Sequence, residues 1–70
     1  MSLFDRYPVL KRVIVNTKTG TVIRGLLWQR RGGYLVLKEA ELLEPKAKPL
    51  AMDGEAAIPE GNVDFLQVVG

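Results

Sequence analysis

Seventy residues make a single domain with no room for a second core. The chain has neither Cys nor His, which excludes disulfides, thiolate clusters and zinc sites of the usual ligand types. Its formal charge of +2 hides an uneven split. Met1 to Lys38 holds eight basic residues and one acid, whereas Glu39 onward holds two basic residues and seven acids. Such a split suggests an anion-binding face or head-to-tail contacts between copies, against the plainer reading of two solvated patches.

A chain this short buries only roughly 60% of its unfolded surface, so its core needs help. With staples and metals excluded, that help is a very efficient core or self-association. No apolar run reaches about 18 residues and no secretory signal is recognisable, so an intracellular, cytoplasmic protein is expected.

Ser2 followed by Asp5 has the form of a helix N-terminus, with Leu3, Tyr7 and Leu10 at helical spacing. Pro8 would cost an intrahelical bond, so the predicted N-terminal α-helix is one or two turns long and breaks near Tyr7. Lys11 to Thr17 alternates as a strand, with Val13 and Val15 on one face and Ile14 and Asn16 on the other. Lys18-Thr19-Gly20 is a hairpin turn in which Gly20 takes positive φ.

Thr21 to Gln29 is the second strand, and Gly25 at its middle marks a sharp bend or a close backbone approach. Arg30-Arg31-Gly32-Gly33 reads as a turn, and Tyr34 to Ala40 as the third strand with Leu35 and Leu37 inward. Glu44 to Gly54 is the one long loop. Glu55 to Ile58 is a short fourth strand, Pro59 to Asn62 a tight turn, and Val63 to Val69 the fifth strand. Alternation puts Val63, Phe65 and Val69 on one face of that last strand and Leu66 and Val68 on the other. A strand apolar on both faces needs cover on both, from the core on one side and from a partner or the N-terminal helix on the other; with the small core, this argues for an oligomer.

Val-x-Val, a Gly turn, Ile-Arg-Gly-x-Leu, Leu-Val-Leu-x-x-Ala, Gly-Glu-Ala-Ala-Ile and Asn-Val-Asp-Phe-Leu follow one another in order from Val13 to Val68. This ordered set resembles the Sm-like superfamily of Sm proteins and bacterial Hfq, in a divergent bacterial or phage-type form. The resemblance implies a mostly β fold: a small, five-stranded, strongly bent antiparallel barrel of SH3 type, with a short N-terminal helix over it. It also implies a homo-oligomeric ring of five to seven subunits, closed by pairing the fourth strand of one subunit with the fifth of the next. Ile58, Val63, Phe65, Leu66 and Val68 are the interface residues expected on that basis.

Family members bind single-stranded RNA at the inner rim, through an Asp and an Asn before the third strand and an Arg-Gly pair after the fourth. Neither the Asp nor the Asn is present here, Tyr34 stands close to the Asn position, and Pro59-Glu60 replaces the later pair. Asn62 alone survives. A different site for single-stranded RNA at the same place would use Arg30 and Arg31 on phosphates and Tyr34 as a stacking face, beside Asn62. Its alternative is a ring that has lost RNA binding and serves as a structural or protein-interaction module. Trp28 is a further aromatic candidate, better placed in a core or interface. With no His, no Cys, no phosphate-cradling glycine motif and only scattered carboxylates, no catalytic residues, metal or cofactor are expected.

Overall fold

The computed structural model describes residues 7–69. Six strands follow in order: β1 (Arg12–Thr17), β2 (Val22–Arg31), β3 (Tyr34–Leu43), β4 (Leu50–Ala51), β5 (Ala56–Pro59) and β6 (Val63–Val68), with a 3-10 turn at Glu60–Asn62 before the last. All pair antiparallel in one curled sheet of order β4-β3-β2-β1-β6, with β5 also on β3. No helix among the described residues is long and apolar enough to cross a membrane.

β1 and β2 behave as their alternation predicts. Val13, Val15, Ile23 and Leu27 face inward and meet Leu35, Leu37, Ala40, Ala56 and Ile58 in one buried cluster. Full burial of each Val, Leu or Ile among them contributes about 1.5–3 kcal/mol. The β1–β2 turn is tied by Thr17, whose buried hydroxyl accepts from the Thr21 N–H at 2.9 Å and donates to its carbonyl at 2.8 Å. Gly20 closes that turn at φ +93°.

Two irregularities bend the long β2–β3 hairpin. Arg24 pairs with Glu41 and Leu26 with Lys38, so Gly25 faces an extra residue on β3, where Glu39 adopts φ +52°. A Cβ on Gly25 would lie 3.0 Å from the Lys38 carbonyl oxygen and 3.2 Å from Ala40 Cα. The missing side chain is therefore a close approach at a bend, and the bulge lets β3 turn there. The second bulge places Trp28 beside Gln29, both opposite Val36. Beyond the bend at Glu39, β3 pairs with β4; before it, β3 pairs with β5.

Several expectations are corrected. Arg30 and Arg31 belong to β2 and not to a turn, because Gly32 and Gly33, at φ +56° and +84°, close the hairpin on their own. The long loop contains β4, so the strand expected as the fourth is β5 and the fifth is β6. Simple alternation fails on β6: Asn16 pairs with Phe65 but Thr17 with Val63, so Asp64 is skipped. Val63 and Leu66 thereby share the inward face with Thr17 and Val15 and pack on the core, Val68 pairs with Val13 but stays exposed at the end of the strand, and Phe65 points outward. The helix predicted from Ser2 lies outside the described residues apart from its end; Tyr7 to Lys11 bends and turns.

Candidate nucleic-acid interface

Ion pairs consume much of the uneven charge. Arg12 bonds Glu39, Arg24 bonds Glu41 at 2.6 Å, Arg30 bonds Glu60, and Arg31 lies 3.8 Å from Glu55. Each joins a base from the first half of the chain to an acid from the second. The basic half is thus not an unopposed anion-binding face; the sheet folds the acids back onto it. The three solvent-exposed pairs, Arg12–Glu39, Arg24–Glu41 and Arg31–Glu55, add little stability, but they cancel charge locally.

The four residues expected to bind RNA separate into two groups. Arg30 is held by Glu60, whose side chain is only 8% exposed. The Glu60 N–H also donates to the Gly33 carbonyl at 2.9 Å, so the hairpin tip and the turn after β5 are tied together twice. Tyr7 sits against this knot: burial raises its phenol above the usual 10.0, the Glu60 charge raises it further and Arg30 opposes. Asn62, at the other end of the same turn, donates to Thr19 Oγ1 at 3.2 Å and its carbonyl accepts from the Lys18 N–H at 2.8 Å. Its contacts join β6 to the β1–β2 turn.

Arg31 and Tyr34 come together. They are register partners across the tip and line a cavity of about 370 Å³ with Gly32, Val36, Glu55 and Ala57. The position follows from pairing: Tyr34 opposes Pro59 and Val36 opposes Ala57, and all four lie on the face of β3–β5 opposite the core. Val36 is buried at the floor, and the Tyr34 side is 46% exposed. Trp28, on the same outer face, is exposed too, with Lys38 Nζ 3.7 Å from its ring centroid.

Sequence reasoning named Glu60 only as part of the Pro59-Glu60 replacement, and it did not bring Glu55, Val36 or Ala57 to the site. The only signal for them was the alternation of Tyr34-x-Val36 and Glu55-x-Ala57-x-Pro59, and it becomes visible once β3 and β5 are paired. Among the interface candidates, Ile58 is 4% exposed and belongs to the core; Val63 and Leu66 are partly buried against it. Phe65 and Val68 are open, each 53% exposed.

No protein-family model matches the chain, and no curated protein does either. Solved structures do resemble it. The SmAP1 heptamer of P. aerophilum superposes with a TM-score of 0.75 at 25% identity, covering 89% of this chain and 82% of that one. A heptameric archaeal Sm protein, discussed for its implications for the eukaryotic snRNP core, gives 0.74 at 25% identity, covering 89% and 90%. Backbone agreement over nearly the whole chain joins the ordered strand-and-glycine pattern of Val13 to Val68, and this chain is a member of the Sm-like superfamily.

Proposed function

We propose that this chain is one subunit of a homo-oligomeric cytoplasmic ring that binds single-stranded RNA at the rim formed by the β2–β3 tip and the turn after β5. The observation that carries the ring is the pairing pattern. Among the described residues β5 pairs with β3 and β6 with β1, and neither has a second strand partner, so each keeps an open edge. Open edges of this kind are matched by another copy or they invite aggregation. Phe65 and Val68, exposed on β6, supply apolar surface beside its edge. Both similar structures are named as heptamers, which supports seven within the range of five to seven.

Arg30, Arg31, Tyr34 and Asn62 remain the proposed RNA-binding residues, with Tyr34 foremost because its ring is open. A base stacked on such a ring contributes about 1–3 kcal/mol. A weak site repeated around a ring gains avidity without any new contact.

The alternative, a ring serving as a structural or protein-interaction module, is favoured by one observation: both arginines of the tip already face a glutamate. Two measurements separate the readings. Native mass spectrometry should give a single closed oligomer, and Phe65→Lys with Val68→Lys should give monomers; a wild-type monomer at micromolar concentration refutes the ring. Fluorescent uridine- and adenine-rich oligomers at low salt should bind, and Tyr34→Ala should weaken them. A ring that binds neither oligomer leaves the structural reading.

A further inference from the structure

The Arg31–Glu55 pair differs from the other three arginine–glutamate pairs. Arg24–Glu41, Arg12–Glu39 and Arg30–Glu60 are hydrogen-bonded, whereas Arg31 and Glu55 stand 3.8 Å apart, beyond hydrogen-bond reach of each other. Both side chains are largely solvent-exposed, so separating them costs little. They stand at one cavity with an apolar floor of Val36 and Ala57 and an aromatic wall of Tyr34. A cation and a carboxylate side by side above a stacking surface is a recognition set for a flat heterocycle that carries acceptors and donors on adjoining edges.

The nucleobases differ in how well they match. Guanine presents two acceptors, O6 and N7, to a guanidinium, and beside them two donors, N1–H and the 2-amino group, to a carboxylate. Adenine offers one acceptor at N7 and the 6-amino donor, so it satisfies each charged group once. Cytosine fills the arginine with N3 and O2 but gives the glutamate only its 4-amino group, and uracil has a single N–H. A volume of about 370 Å³ accommodates a purine. Gly32 at the cavity edge leaves the backbone open there, with no side chain over the ring.

The geometry points to a guanine-preferring base pocket on the outer face of β3–β5: Tyr34 stacks the base, Arg31 donates to O6 and N7, and Glu55 accepts from N1–H and the 2-amino group. As a specificity site within a bound RNA it rests on the proposed RNA binding; as a pocket for a free guanine nucleotide it does not.

The first test uses the assembled protein and guanosine monophosphate alone. Amide shifts should concentrate at Arg31 to Val36 and Glu55 to Ala57, and adenosine monophosphate should bind about tenfold more weakly or worse. Inosine monophosphate, which lacks the 2-amino group, should lose most of the advantage, and Glu55→Gln should abolish the difference between guanosine and inosine monophosphates. The second test compares a uridine-rich oligomer carrying one guanine with the same oligomer carrying adenine there. Guanine selectivity that disappears in Glu55→Gln supports the pocket. Equal binding of the two oligomers, with no effect of Glu55→Gln, overturns the pocket and leaves RNA binding standing. Guanosine shifts at these residues without any oligomer binding uphold the pocket and refute the RNA reading. Shifts elsewhere, or none, overturn the pocket.

Discussion

Gly25→Ala places one methyl group where the hairpin has no room for it. The added Cβ would meet the Lys38 carbonyl oxygen at 3.0 Å, Ala40 Cα at 3.2 Å and Leu37 Cδ2 at 3.3 Å. The two nearest atoms are backbone, and they sit in the bulge that bends β3, so neither can rotate away. Overpacking a site of this kind costs about 1–3 kcal/mol. Gly25 does not have a positive φ, so alanine recovers about 0.4–1 kcal/mol by restricting the unfolded chain. The net expectation is a loss of about 1–2 kcal/mol, or a fall in Tm of about 5–15 °C for a domain of this size. Thermal unfolding followed by circular dichroism measures it, at one fixed protein concentration because assembly adds to apparent stability. Gly61→Ala is the control: nothing lies within 4 Å of its added Cβ, and the change should stay within about 0.5 kcal/mol. A Gly25→Ala protein that melts within about 2 °C of wild type would refute the close-approach argument.

Glu60→Ala should lower stability by about 1–3 kcal/mol, seen as a lower urea midpoint, because it leaves Arg30 without its carboxylate at the knot. Tyr7→Phe should flatten the alkaline limb of stability. Above about pH 10 the unfolded phenol ionises while the folded one, held higher by burial, stays neutral, so wild-type stability falls with rising pH. Urea titrations of both proteins between about pH 9 and 11 test that slope, and parallel curves would refute it. Lys38→Ala removes the cation over Trp28; a loss of about 0.5–1 kcal/mol and a change in Trp28 fluorescence are expected.

Local pattern carried most of the fold. Val13 and Val15 alternate cleanly because β1 is regular, Gly20 takes a positive φ, and Gly25 sits where an added Cβ would crowd β3. What stayed hidden depends on register across distant strands. Val63 and Phe65 looked like one face of β6 until the skipped Asp64 rotated them apart. Arg30 and Arg31 looked like a basic loop because nothing local reveals that Gly32-Gly33 suffices for the turn, or that Glu60 and Glu55 arrive opposite them. The candidate site was half legible for the same reason. Tyr34 and Arg31 stood out as an aromatic and a cation near a tip, while Glu55, Val36 and Ala57 join them only through β3–β5 pairing.

The order of the sheet also has a kinetic meaning. β1, β2 and β3 meet their neighbours through short turns, but β1 receives its second partner only when Val68 reaches Val13 and Leu66 reaches Val15. Closing so long a loop is entropically expensive before the contacts that reward it form. The three-stranded meander is therefore the expected nucleus, and β6 docks late. Until it does, Val13 and Val15 have one flank open to solvent and to other chains. Substitutions on β6 should accordingly accelerate unfolding more than they slow folding, whereas substitutions around Gly25 should act on the folding rate itself.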